Sequence, residues 1–587
     1  MRLAVLVKQI PNFEEMELGP DGRLKRDGID LEMNPYCRRA VSQAVALAAD
    51  RPGSTVTVIT LGPPAAEDTL REAIAWGLER DVDITGVLVT DPAFAGSDTL
   101  ATAKALAATL ARRGPFDLVL AGRNSVDADT GQVGPEVAEL LDLPFMTGVR
   151  HLALDDQRLT VRCEHDDGWL DAELALPAVI SCAERLIDPC KVDPAGRAAV
   201  PAERISRLTA ADLGPGPWGQ DASPTWVGPV TVMAVSRARQ RWPELTVDEQ
   251  ITRAVPILTE RGALTHDEQR ATAVEVPACA FGARQIVVIA EPDRLHATRE
   301  LIGAAAGFDG CVVVFTVQPP DAELLASWGA DEVVHLEGDN VEEDVAHAFA
   351  EWAAEHRPWA VLTESTAWGR EVAARAAARL GAGLTGDAVG LELEGDRLVA
   401  WKPAFGGQLV AAVSATSPIQ MATVRAGMLD TLTPRSVSPV RVTTITMARR
   451  GRVTVTARTR DDDIEVLADA RVVIAVGMGV SPAEYPMLEP LRGALHAELG
   501  ATRKVTDKGW MPRARQIGIT GRTIAPRLVV SIGASGKFNH TVGLRAAGTV
   551  LAINPDPNAL IFDAADVGIV GDWHDVLPLL VDALQRG

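Results

Sequence analysis

The stretch Gly533-Ala-Ser-Gly-Lys-Phe-Asn-His540, preceded by the apolar run Leu528–Ile532 and followed by Thr549–Ile553, decides how this chain is read. An apolar run that stops at glycine leaves backbone N–H groups at the carboxyl end of a parallel strand, where open α/β sheets bind nucleotides. His540 would face such a ligand. Taken alone, the pattern fits an ordinary strand and turn with a surface histidine equally well. Two further runs end in the same way: Arg471–Gly477 breaks at Gly-Met-Gly, and Val550–Asn554 breaks at Pro-Asp-Pro. Several crevice-lining turns in one segment favour the ligand.

Between these runs lie Gly500-Ala-Thr-Arg503 and Gln516-Ile-Gly-Ile-Thr-Gly-Arg522, and after them come INPDP and FDAADVGIVGD. In this order the motifs resemble the FAD-binding domain of the electron transfer flavoprotein α subunit. The front of the chain, with RLAVLVKQIP, Met33–Val41, Thr60–Pro64, Phe94–Thr102 and Ser125–Ala138, resembles the β subunit of the same heterodimer. The chain therefore reads as a β–α fusion. Residues 1–265 form a β-like domain with a C-terminal arm, 266–450 an α-like N-terminal domain, and 451–587 the FAD-binding domain, with the junction near Thr265–Arg284. The implied fold is α/β: two pseudo-symmetric, parallel-sheet, adenine-nucleotide-binding-like domains plus a C-terminal Rossmann-like domain.

An internal repeat supports the paired halves. PFDLVLAGRN, Gly134-Pro-Glu-Val-Ala and LALDDQRL in the first half recur as PWAVLTES, Gly369-Arg-Glu-Val-Ala and LELEGDRL in the second. Short β-branched runs alternate with alanine-rich stretches such as TLATAKALAATLARR, the pattern of a parallel βαβ layer. The segment Leu213–Pro229, rich in Pro and Gly, reads as an irregular arm or a flexible linker.

Composition excludes several classes of function. The net charge of −22 argues against nucleic acid, whose phosphates need clustered Lys and Arg. No apolar run is long enough to insert into a membrane, and MRLAVLVKQIPNFEEME meets charge too early for a signal peptide, so a cytoplasmic setting is expected. The 6 cysteines lack any CxxC pair, which argues against zinc, iron–sulfur ligation or a disulfide framework and assigns redox chemistry to an organic cofactor. No GxGxxG follows a strand with an acidic residue some twenty positions later, so the usual dinucleotide fold for NAD is not supported, and without a nucleophile elbow, HExxH or Walker lysine, hydrolase and kinase readings have no residues behind them.

The resemblance implies roles residue by residue. His540 would lie against the N1 and O2 edge of the isoalloxazine, Thr520 would offer a hydroxyl to N5, and Arg503 would place its guanidinium near the ring. Thr502, Gln516 and Gly521 belong to the same motifs. Ser535, Gly536 and Asn539 would sit under the ribityl and diphosphate part, with Asn554 and Asp566 at the adenosine end. Two positions depart from the family pattern: Met478 stands in place of a flavin-site arginine and Ile519 in place of a glutamine. Restoring charge with Met478→Arg is expected to raise the flavin potential.

A second nucleotide site is implied in the β-like half. There Asp127, Asp129, Thr130, Gln132 and Val133 lie on the loop SVDADTGQVGP, with Thr99 and Thr102 nearby. The family's single-flavin branch holds AMP at this loop and its electron-bifurcating branch holds a second FAD; the present loop is closer to the second form. The implied function is an electron carrier between a flavin dehydrogenase donor and a membrane quinone oxidoreductase-type acceptor. One alternative is a two-FAD bifurcating flavoprotein that oxidises NADH. The other is a regulatory or scaffold protein whose flavin site has decayed, suggested by Met478 and Ile519. The segment Asp188–Arg197 lacks the leucine anchor and lysine run with which single-flavin β subunits grip dehydrogenases, so the docking partner is expected to differ.

Overall fold

A computed structural model of the chain describes residues 1–11, 30–155, 158–166, 168–232, 237–264, 272–277, 279, 284–404, 409–436, 440–460, 466–467, 470–518, 521, 524–545 and 547–586. The fold is α/β with mostly parallel sheets. The repeated sequence blocks fold into two related sheets. In the first half the order across the sheet is Ile205–Leu208, Asp83–Val89, Thr55–Leu61, Arg2–Leu6, Leu118–Gly122, Ala178–Cys182 and Phe145–Leu154, continued by the antiparallel strands Arg158–Glu164 and Gly168–Ala175. In the second half the same walk reads Arg441–Thr446, Glu332–Glu337, Gly310–Thr316, Arg284–Ala290, Ala360–Glu364, Gln420–Val424 and Gly383–Ala388. Its antiparallel strands Gly390–Glu394, Arg397–Ala404 and Leu409–Ala415 form a separate sheet.

The strand Leu118–Gly122 is apolar along its length and Ala360–Glu364 is buried along its length because helices cover both faces. The helix Thr99–Arg113 shows how those covers form. Asp98 caps it by accepting the N–H of Ala101, and Leu100, Ala103, Ala107 and Leu110 recur at helical spacing on its buried side.

Each half supplies a strand to the other. Thr225–Val232 pairs antiparallel with Leu409–Ala415 of the second half, and Val453–Arg460 pairs antiparallel with Gly168–Ala175 of the first. The segment that reads as an arm or a linker thus runs into an exchanged strand. The helices Val133–Leu140 and Ala367–Leu380 meet at the seam. There Glu139 accepts from Arg375 and Arg379, both at 3.2 Å, and contacts the His347 ring. Burial pushes the Glu139 carboxyl up, but the bond to the His347 ring and the Arg375 and Arg379 guanidiniums prevail and hold it at about 2.

The C-terminal domain is a seven-stranded sheet. Taken in chain order, Val472–Val476, Glu498–Thr502, Gln516–Ile517, Leu528–Ile532, Thr549–Asn554 and Val567–Val570 are arranged 3-2-1-4-5-6, all parallel. The first half completes this domain: Gln240–Arg241 adds an edge strand beside Val567–Val570. Ile251, Ala254 and Leu258 of the helix Val247–Glu260 share one core with Val576, Leu577 and Leu580 of the helix Trp573–Arg586.

One expectation is corrected here. Cys279 and Cys311, separated by 32 residues in sequence, form a disulfide, whereas the lack of any CxxC pair argued against a disulfide framework. The pairing is tertiary: the segment after strand Thr272–Glu275 is brought against the start of strand Gly310–Thr316. Most of the expected junction, residues 265–271 and 280–283, lies outside the described residues. Among the described residues no helix is long and apolar enough to cross a membrane.

Candidate cofactor site

In a 3-2-1-4-5-6 sheet the strand order reverses between the first and fourth strands, and the crevice for a ligand lies outside their carboxyl ends. Here that point falls between Val472–Val476 and Leu528–Ile532. The turns that follow pack main chain against main chain. Gly477 N–H donates to the Ile532 carbonyl at 2.8 Å, and Gly479 N–H donates to the Gly533 carbonyl at 3.1 Å. A Cβ on Gly477 would sit 2.2 Å from the Gly533 oxygen, so only glycine permits this floor. Gly536, at φ +76°, packs against Leu560 and Ile561, where a Cβ would come within 1.9 Å of the Ile561 nitrogen. These glycines shape the crevice by letting backbones touch.

The motif residues then distribute as follows. Asn554 ends its strand and fixes two turns: its Nδ2 donates to the Ala534 carbonyl at 2.9 Å, and its Oδ1 accepts from Asp556 N–H at 2.9 Å. Gln516 is buried and accepts from the Thr506 hydroxyl at 2.7 Å. Gly521 turns back over it, with no room for a Cβ beside the Gln516 carbonyl. Ser535 is exposed. Thr502 stands at the N-cap position of the short helix Arg503–Asp507 without a side-chain capping bond, and Arg503 donates to Asp507 at 3.3 Å. Asp507 also pairs with Arg185 of the first half, so Arg503 stands where the C-terminal domain meets the base. Burial pushes the nearby Glu184 carboxyl up, but Arg513, Arg123 and Arg503 override it and hold it at about 2.

His540 is the most informative side chain. It sits on the short helix Phe538–Thr541, after Asn539, and is only 6% exposed. Its Nδ1 lies 3.1 Å from the Ile517 carbonyl, which can only accept, so Nδ1 carries the proton. Nε2 is then a buried acceptor, and among the described residues it has no partner. Burial draws the ring's pKa down to about 4, so it is neutral at pH 7. An orphaned buried nitrogen of this kind fits a site built to hold a polar ring edge.

Two motif residues fall elsewhere. Thr520, with Ile519, lies outside the described residues. Asp566, expected at the adenosine end, is a correction: it precedes strand Val567–Val570 and receives Val550 N–H at 2.9 Å, so it lies at the amino end of the sheet, opposite the crevice. Its carboxylate is taken by Arg237 at 2.8 Å and Arg261 at 3.0 Å. Met478 packs against the apolar cluster that contains Trp573 and Leu488. Met478→Arg is therefore expected to cost stability, roughly 1 kcal/mol, and to leave the flavin potential within error of the parent. A rise in potential, measured by spectroelectrochemistry, would instead put this side chain at the ring.

The base loop gathers most of its predicted residues. It begins at the carboxyl end of strand Leu118–Gly122, beside strand Arg2–Leu6, where the first sheet reverses its order. Lys8 pairs with Asp127 at 2.8 Å and reaches the Ser125 hydroxyl at 3.0 Å, while Asn34 accepts from Val126 N–H at 3.2 Å. Asp129 at φ +47° and Gly131 at φ +65° turn the loop through left-handed conformations. Burial pushes the Asp129 carboxyl up, against the pull of Arg370. Thr99 donates to Gln132 at 2.8 Å, and Gln132 crosses the seam to the Leu384 carbonyl at 3.4 Å. Thr130 backs onto Gly386 of the second half, and Val133 opens the seam helix. Thr102 lies one turn into its own helix, with its N–H donated to Asp98.

Lys8, Asn34 and Arg370 were not among the predicted residues. Arg370 lines a cleft with Arg123, Gly131 and Thr147. The repeat itself held the signal, because Gly369-Arg370-Glu-Val-Ala substitutes arginine for Pro135 of the first copy.

The reversal point, the glycine turns and the orphaned imidazole define a dinucleotide-binding type of domain set on a base of two related parallel sheets. Residues 21–208 and 285–458 match the electron transfer flavoprotein domain, and residues 466–545 match the electron transfer flavoprotein FAD-binding domain. The chain belongs to the electron transfer flavoprotein family. Electron transfer flavoprotein subunit alpha from Thermoanaerobacterium thermosaccharolyticum is 33% identical over 283 residues, 45% of this chain and 83% of the relative. The alpha subunit from Mycobacterium leprae is 34% identical over 300 residues, 49% and 92% respectively. Subunit CarD of the caffeyl-CoA reductase–Etf complex from Acetobacterium woodii is 35% identical over 230 residues, 39% and 86%.

Proposed function

We propose that this chain carries electrons through FAD held at the carboxyl edge of the C-terminal sheet, from a flavin dehydrogenase to a membrane quinone oxidoreductase-type acceptor. The observation that carries this reading is His540, whose Nε2 is buried at that edge and without a partner among the described residues. When bound, the flavin supplies a ring that takes up and releases electrons one or two at a time. The chain's own residues set its surroundings. His540 holds its proton on Nδ1 against Ile517, presents a lone pair at Nε2, and can accept a proton there when negative charge develops beside it. Arg503 brings positive charge to the mouth where base and C-terminal domain meet, and Asn554 keeps the Ala534 and Asp556 turns in place.

We infer that the base loop takes a second nucleotide, FAD in preference to AMP. The left-handed turns at Asp129 and Gly131 support this reading, and the loop sequence SVDADTGQVGP follows the two-flavin form. A chain loaded in this way could serve NADH-driven bifurcation. Acid extraction of the purified full-length protein, followed by chromatography, is expected to release FAD and no stoichiometric AMP. Equimolar AMP would return the chain to the single-flavin branch. Release of no nucleotide at all would favour a regulatory or scaffold role.

A further inference from the structure

Cys279 and Cys311 do not belong to either nucleotide site. They stand with Asp331 as a group whose Sγ, Sγ and carboxylate oxygen atoms all lie within 4.8 Å of one another. All three residues are partly exposed, so solvent and small solutes reach them. The two Cα atoms are 4.9 Å apart. Such a span suits the disulfide the structure holds, and it also suits two thiolates on one tetrahedral ion, whose donor atoms sit about 3.8 Å apart at ordinary zinc–sulfur distances.

The third ligand is already oriented. Asp331 accepts from Val312 N–H at 2.9 Å through one oxygen and from Arg435 at 2.8 Å through the other, and each oxygen keeps a further lone pair. Arg435 also donates to the Pro277 carbonyl at 2.8 Å, which fastens the segment bearing Cys279 beside the carboxylate. Outer hydrogen bonds that fix a ligand's direction are what metal sites require.

We propose that Cys279, Cys311 and Asp331 form a redox-gated metal site: oxidised, the cysteines are a disulfide; reduced, they bind one soft divalent cation of the zinc class together with Asp331. In the first step a dithiol gives two electrons and two protons to the S–S bond, which breaks to two thiols as the dithiol closes to a cyclic disulfide. In the second step the cation takes two thiolates and one carboxylate oxygen, releases the two thiol protons and keeps water in its fourth position. The remaining cysteines do not compete, because Cys37, Cys163, Cys182 and Cys190 are buried. Burial also raises their pKa values, which disfavours thiolate. The segment that enters the second half stays fastened to strand Gly310–Thr316 in either state.

The test uses full-length protein reduced with dithiothreitol, desalted without oxygen and titrated with Co²⁺, followed by Zn²⁺. The reduced protein is expected to bind one Co²⁺ with a thiolate-to-metal charge-transfer band that zinc bleaches, and the oxidised protein none. Cys279→Ser, on a surface segment, is expected to abolish the band and weaken retention at least about tenfold. Asp331→Asn is expected to keep the band but release the ion more readily. Identical cobalt spectra for the reduced parent and Cys279→Ser would overturn the proposal. So would a denatured thiol count showing that dithiothreitol leaves the pair oxidised.

Discussion

Replacing Arg237 with alanine is expected to lower the stability of the C-terminal domain by about 3–5 kcal/mol, the usual cost of stranding one partner of a buried ion pair. The Asp566 side chain is 1% exposed and that of Arg237 is 6%. Asp566 accepts from Arg237 and from Val550 N–H, both on Oδ2, and Arg261 pairs with its other oxygen. The same guanidinium donates to the carbonyls of Leu544, Arg545 and Ala547 at 3.0–3.1 Å, gathering the chain just past the His540 helix. One residue from the first half therefore holds both a buried carboxylate and the turn behind the cofactor edge. Arg237→Lys keeps the charge but loses the fan of donors, and an intermediate loss of about 1–2 kcal/mol is expected. Urea midpoints, read by tryptophan fluorescence, check both values. Pairing Arg237→Met with Asp566→Leu should recover much of the loss, because no carboxylate is then left buried. An Arg237→Ala midpoint equal to the parent's would show that this contact does not tie the arm to the domain.

The second large effect is a pH dependence set by His540. Its folded pKa of about 4 lies below the ordinary 6.5, so the unfolded chain binds this proton more readily than the folded one. Its contribution is therefore fully present above pH 6.5, declines as the pH falls, and levels off below 4, a total loss of about 3 kcal/mol. Other groups titrate over the same range, so the comparison is with His540→Phe, which lacks the titration. In flavin-free protein the gap between parent and variant urea midpoints should shrink as pH falls from 7 to 4.5. Parallel curves would mean that His540 is solvated, and would remove the argument that its Nε2 faces a dry site.

What was legible in the sequence follows from which signals are local. Apolar runs ending at glycine marked the carboxyl ends of strands, and three of these do border the crevice, at Gly477, Gly533 and Asn554. The repeat announced two related sheets because each copy carries its own strand and helix periods. Asp566 was misplaced although the clue was present: a residue just before an apolar run lies at the amino end of that strand, away from the ligand edge. The exchanged strands Thr225–Val232 and Val453–Arg460 carry no local mark of the sheet they join, since their partners lie far away in sequence. The same holds for Arg237 beside Asp566 and for Cys279 beside Cys311. The proton on His540 Nδ1 is set by the Ile517 carbonyl, a contact that no spacing rule contains.

The proposed function requires that the C-terminal crevice holds FAD and that His540 lines it. Flavin bound per chain, counted by absorbance after acid release from full-length protein reconstituted with excess FAD and desalted, tests it most directly when parent and His540→Ala are compared. At least one FAD per parent chain is expected. The C-terminal flavin of His540→Ala should dissociate roughly tenfold or more faster, in line with a lost hydrogen bond in a buried site. A colourless parent that takes up no FAD would contradict the claim.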